Sequence, residues 1–190
     1  MMTWVEALEP GAPDIVAAWS GIDEGSQIAV RREVRKRAGG GSAPRIVPQL
    51  ATLADAMTAI VERLSDEHLG RDGGEEGWNV AQAIGHACDA RAGLSLAAAK
   101  AAAGHWPPDA KGTVPGVPGP ADADRAALLH AIARSQRIIE RSARTVAGHE
   151  TDPCPLGHPL VGQLRCGEWL VFAGVHDLMH LEQLHAIMRA

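Results

Sequence analysis

Tyrosine is absent from this 190-residue chain and phenylalanine occurs once, so aromatics make up 3% of residues while apolar side chains make up 46%. The core is therefore expected to be built from Ala, Leu, Val and Ile, which suits closely packed helices. Cysteine is scarce as well. Cys88, Cys154 and Cys166 are odd in number and scattered, with no Cys-x-x-Cys, which excludes a disulfide framework and fits a reducing compartment. An excess of positive charge is also missing: the net charge is −5, which argues against nucleic acid as the main partner, since phosphate binding needs a basic face. The basic run Arg31, Arg32, Arg35, Lys36, Arg37 reads as a solvated helix face. Charge interrupts every apolar stretch well before the roughly 18 residues a membrane span needs. The opening Met-Met-Thr-Trp-Val-Glu has neither the basic nor the apolar region of an export signal. A cytoplasmic protein with no nucleic-acid or membrane partner is expected.

What the chain does have is helical periodicity. Residues 1–45 read as an N-terminal extension, with short helices over Asp14–Trp19 and Asp23–Ala38 and a linker over Gly39-Gly40-Gly41-Ser42-Ala43-Pro44. From 46 to 190 the pattern predicts one helical domain. Leu50, Leu53, Ala54, Met57, Ile60, Val61 and Leu64 recur at three and four, which predicts a helix beginning after Pro48. Asn79 and Gln82 form a capping box for a second helix, Val80 to about Ala103. A Pro- and Gly-rich connection spans 104–120, of the kind that lines or covers sites. A third helix starts near Asp122, and a Pro-rich loop, Thr151 to Pro159, leads to the last. Four such helices without a strand pattern predict an all-α four-helix bundle.

The last helix carries His176 and His180, one turn apart and so on one face. A seam stepped by three and four residues runs Trp169, Ala173, His176, His180, Gln183, Ile187, which places both imidazoles inward, where they need a partner. The sequence His176-Asp177-Leu178-Met179-His180 departs from the His-Glu-x-x-His of zinc proteases, and too little chain follows for a downstream third ligand of that class. The third ligand is expected upstream. His86, among small neighbours on the second helix, is the best candidate, and His130 on the third is its competitor. Asp89, Glu182 and Gln183 are candidates to orient the imidazoles, Glu182 being better read as surface charge. His149, Cys154, His158 and Cys166 fall within eighteen residues and form a conceivable closed zinc site, although ordinary loop positions explain them.

Two segments carry a resemblance. Gly77-Trp78-Asn79-Val80-Ala81-Gln82-Ala83-Ile84-Gly85-His86, and His158-Pro159-Leu160-Val161-Gly162-Gln163-Leu164 running on to His176-Asp177-Leu178-Met179-His180-Leu181-Glu182-Gln183, resemble the DinB-like superfamily over roughly residues 46–190. The chain departs from that pattern at Arg165, where a Ser or Thr usually caps the last helix, and at Gly167 in its first turn. The resemblance implies a DinB-like four-helix bundle holding one divalent metal through three histidines, which map onto His86, His176 and His180. It also implies a homodimer and, for several members, thiol-dependent transfer or isomerisation using mycothiol or bacillithiol.

Three neutral imidazoles with an open fourth position match catalytic zinc, and they also accept nickel, iron or cobalt. Metal-bound water or thiolate would then be the nucleophile. The expected function is a metal-dependent thiol S-transferase or hydrolase acting on a small molecule. The alternative is a non-catalytic dimeric scaffold or sensing module whose metal only ties helices together. A pocket under the 104–120 loop favours the enzyme; one plugged by Trp106 or Trp169 favours the scaffold.

Overall fold

The computed structural model describes residues 3–22, 27–74, 77–109, 112–114 and 116–189. After a 3-10 turn at Glu6–Leu8, the helices are α1 (Pro13–Ser20), α2 (Gln27–Arg37), α3 (Ser42–Val61), α4 (Asp66–Leu69), α5 (Val80–Ala102), α6 (Arg125–Val146) and α7 (Cys166–Ile187). Strands β1 (Pro153–His158) and β2 (Gly162–Arg165) pair antiparallel. The bundle is all-α, as expected. Its helices α3, α6, α5 and α7 form a ring in that order, α5 lying against both α6 and α7, and α3 against both as well. This arrangement sets the first turns of α5 beside the last half of α7. None of the described helices is long and apolar enough to cross a membrane.

The expected linker is shorter than its sequence reads. Ser42, Ala43 and Pro44 are the first turn of α3, which starts after Gly41 (φ 77°) and runs straight through Pro48. Proline forbids one backbone hydrogen bond but already holds the helical φ. Burial of Ala43, Ile46, Gln49 and Leu50 on this stretch outweighs that loss. Part of the second expected helix, Asp23 to Ser26, lies outside the described residues; its remainder is α2.

Helices α1 and α2 also pack into the core rather than standing apart from it. Ile15 and Ala18 are fully buried, and α1 and α2 both lie on α7. Gln49 closes the start of α1 from α3: its Oε1 accepts from the N–H of Asp14 (2.9 Å) and Ile15 (3.3 Å), and its Nε2 donates to Asp14 Oδ2 (2.6 Å). Every residue of α7 from Cys166 to Leu178 is buried. The inward seam expected for this helix is therefore only part of its buried surface, because α1 and α2 cover the opposite face.

The expected Pro-rich loop before α7 is a hairpin. Cys154, Leu156, Val161 and Leu164 are buried, and Gly162 (φ 65°) takes the left-handed conformation the turn requires. Pro153 and Pro155 hide the strand from a periodicity reading. Proline cannot donate to a ladder, but it is tolerated in a strand as short and peripheral as β1.

The two departures at the start of α7 have local causes. The N–H of Cys166 donates to Asp152 O (3.0 Å) and that of Gly167 to Glu150 O, which meets free donors of the first turn without a Ser or Thr cap. Glu168 Oε2 accepts from the N–H of Arg165 (2.9 Å) and its Oε1 from Arg35 Nε of α2 (2.9 Å). Gly167 is required by contact. A Cβ there would stand 2.7 Å from Glu150 Cβ, and its N–H donates to Glu150 O (2.9 Å). The buried Glu150 carboxylate in turn accepts from the N–H of Ala43 (3.3 Å) and Gly148 (2.9 Å).

Candidate metal centre

Asn79 starts α5 with the expected reciprocal cap: its Oδ1 accepts from Gln82 N–H (2.8 Å), and Gln82 Oε1 accepts from Asn79 N–H (3.0 Å). Two turns later, His86 meets α7. The structure brings His86, His176 and His180 together, with one nitrogen from each within 4.8 Å of the others. Ring centroids lie 4.6 Å apart for His176–His180, 5.2 Å for His86–His180 and 5.5 Å for His86–His176.

Each neighbour fixes a tautomer. His86 Nδ1 lies 2.8 Å from Val117 O, which can only accept, so Nδ1 carries the proton and Nε2 is left to ligate. His180 Nδ1 lies 3.0 Å from Gln183 Oε1, with the same result. Gln183 is held in that orientation because its Nε2 donates to Gly73 O. His176 Nδ1 is buried and has no hydrogen-bond partner among the described residues. Burial pushes His180 down to about 4, against the hydrogen bond from Gln183, which acts upward. His176 lies well below the usual range, first through burial and then through the neighbouring His180, His86 and His158. Buried rings held neutral, one with an unsatisfied nitrogen, are the donor set a divalent ion takes.

The approach of residues 117–119 to α5 depends on glycine. A Cβ on Gly85 would stand 2.9 Å from Gly119 Cα, and one on Gly119 would stand 2.6 Å from Gly85 Cα. Gly119 N–H donates to Gln82 O (3.0 Å), so this segment lies backbone against backbone on α5 and delivers the Val117 carbonyl to His86.

The other candidates are elsewhere. His130 is exposed on α6 and takes no part in the cluster. Asp89 pairs at the surface with Arg134 (3.1 Å) rather than with an imidazole. Glu182 is exposed, as its reading as surface charge expects. Asp177 turns away from the histidines into the bundle, where its Oδ2 lies 2.9 Å from Arg91 Nε with both side chains fully buried. Burial raises the Asp177 carboxyl to about 6, with Arg91 opposing. Arg91 also donates to Leu50 O (2.8 Å), Ser135 Oγ (3.2 Å) and Gln136 Oε1 (3.2 Å). Nothing in the sequence distinguishes Arg91 from a surface arginine.

The conceivable second zinc site is not assembled. His149 is exposed and paired with Asp152 (2.8 Å), Cys154 and Cys166 are buried, and the three-histidine cluster is the one such group among the described residues. His158, read as an ordinary loop histidine, sits at the centre instead. Its ring packs edge-on against Phe172 (5.1 Å) and lies 6.2 Å from His176. Leu160 N–H donates to His158 Nδ1 (3.1 Å), which leaves the proton of the neutral ring on Nε2.

His86, His158, His176 and His180 all line one cavity of about 440 Å³, together with Val114, Leu160, Met179 and Gln183. Trp169 is fully buried against Phe172, and neither it nor Trp106 lines that cavity. A family model of the DinB superfamily matches residues 49–184, which takes in α5, the hairpin and all three histidines. The chain belongs to the DinB superfamily. No curated protein and no solved structure matches it. As a DinB-superfamily bundle, it offers three imidazoles from two adjacent helices for one divalent ion. The matched region begins inside α3, so α1 and α2 lie outside it.

Proposed function

We propose that the protein is a metal-dependent enzyme acting on a small molecule, by thiol-dependent transfer or by hydrolysis. One observation carries this reading. The three imidazoles open onto the 440 Å³ cavity, and no further His, Cys, Asp or Glu joins their cluster among the described residues. Structural zinc is generally closed by four protein ligands, whereas catalytic zinc keeps one position for water or substrate. Zinc or nickel suits three imidazoles best, and iron or cobalt is also accepted. A divalent ion held there supplies a Lewis acid and makes bound water or a thiol acidic enough to react near neutral pH.

The chain's own groups divide the remaining work. Val117 O and Gln183 engage Nδ1 of His86 and His180, which leaves Nε2 of each ring as the nitrogen that would hold the ion. His158 offers an N–H donor in the same cavity, suited to an oxygen or sulfur that gains negative charge during reaction. A low-molecular-weight thiol such as mycothiol or bacillithiol is the proposed co-substrate.

The test is metal content by plasma mass spectrometry on untagged protein, beside His176→Ala and His180→Ala, followed by calorimetry with mycothiol and bacillithiol. Near one equivalent of metal in the parent, almost none in the folded variants, and a thiol affinity that requires the metal are expected. A parent that takes up neither zinc nor nickel sinks the reading.

A further inference from the structure

A second cavity, of about 190 Å³, adjoins the first. It is lined by Trp19, Ile22 and Val30 from the α1–α2 region and by Leu160, Phe172, Val175 and Met179 from the bundle, with no charged side chain among them. Leu160 and Met179 line both cavities. Phe172 joins them from behind, lining the smaller one while its ring lies 5.1 Å from His158 and 6.2 Å from His176.

We propose that this cavity takes the apolar tail of the substrate, whose polar head sits at the three histidines. The substrate class is then a small molecule with a metal-binding head and one uncharged phenyl or short alkyl arm. The inference rests on the metal-dependent reading above and adds the shape of the ligand to it.

Three observations support the assignment. The volume suits such a group, since an apolar cavity of about 150 Å³ lined by Leu, Ile and Phe holds a benzene molecule. The lining offers nothing to solvate a charge, so a charged arm is disfavoured. Leu160 and Met179 are 43% and 38% exposed, two large apolar side chains left open along the shared wall of the two cavities. A ligand spanning both cavities would cover them. The tail site is also made partly by residues before the matched family region, so α1 and α2 acquire a role in selecting substrate.

Two probe types separate the tail from the head. Acetohydroxamate and hexanohydroxamate share a metal-binding head and differ in chain length; toluene has no such head. Calorimetry on the metal-loaded full chain is expected to give hexanohydroxamate an advantage of about tenfold or more over acetohydroxamate, and saturation-transfer NMR is expected to detect toluene. Val30→Trp and, independently, Ile22→Trp should fill the cavity, abolish the toluene signal and bring hexanohydroxamate down to the affinity of acetohydroxamate. Equal affinities in the parent, absence of toluene binding, or a chain-length advantage that survives both tryptophans would overturn the tail site. Toluene bound while acetohydroxamate is not would instead count against the metal centre, and the head-and-tail assignment would fall with it.

Discussion

A single methyl group at position 85 is enough to disturb His86. Alanine there would meet Gly119 Cα at 2.9 Å, a backbone contact that no rotamer change relieves. The segment bearing Val117 must lift, and His86 Nδ1 then loses its acceptor. Gly85→Ala is expected to leave the helix intact, since alanine favours it, while zinc affinity falls by about 10–100-fold in a chelator competition. Unchanged affinity would mean that Val117 does not orient the ring. His158 tests a different function. His158→Gln should retain a full equivalent of metal and bind acetohydroxamate about tenfold more weakly, the worth of one hydrogen bond. The two differ in how legible they are. His176 and His180 stand out by spacing, and His86 by its place two turns beyond a capping box, because helical geometry converts sequence distance into direction. His158 has no such periodicity around it. Its position follows from the β1–β2 pairing and the packing of Phe172, neither of which local sequence encodes.

Between elements, α1 fits closely on α7. Gly174 makes the notch for Ile15: a Cβ at 174 would stand 2.5 Å from Ile15 Cδ1 and 2.9 Å from Cγ1 and Cγ2. Gly174→Ala adds about 1 kcal/mol of helix propensity but overpacks a filled site at about 1–3 kcal/mol. A net loss on the order of 1 kcal/mol is expected, lowering the melting temperature by about 2–4 °C. A double-mutant cycle with Ile15→Val should show coupling, and additive effects would place the strain elsewhere. Element boundaries were legible where a reciprocal cap is local, as at Asn79, whereas the third helix, expected from near Asp122, starts after Asp124, whose Oδ1 accepts from Ala127 N–H (2.7 Å). They were hidden where partners come from afar. The start of α3 is supported by Glu150, more than a hundred residues away, so Pro48 looked like a boundary when it is interior. The hairpin was lost for a related reason, its prolines masking a burial pattern set by the helices beneath.

For the molecule as a whole, burial seats α1 and α2 on the bundle, and a cluster of charges within α2 reinforces the second of them. Glu33, 3% exposed, receives Lys36 (2.6 Å), Arg32 (2.9 Å) and Arg37 (3.0 Å), and these bonds lower its carboxyl from 4.5 to about 2. The folded value is the depressed one, so the stabilisation is fully present above about 4.5 and is lost as pH falls from there through 2. Trp19 fluorescence should report loosening of α1 and α2 in that window. In Glu33→Gln the same signal should be flat across it; an identical acid transition in both proteins would assign the effect to another group. The buried pair between α5 and α7 has a longer reach. Arg91 meets Asp177 and also bonds α3 through Leu50 O and α6 through Ser135 and Gln136, so one guanidinium touches all four helices of the bundle. Replacing either partner alone strands a charge in the interior, at a cost of about 3–5 kcal/mol, whereas exchanging both removes the charge and leaves the smaller cost of the acceptors at Leu50, Ser135 and Gln136 that lose their donor. Descent through single substitutions must therefore cross a strongly destabilised intermediate, and positions 91 and 177 are expected to be inherited, or lost, as a pair.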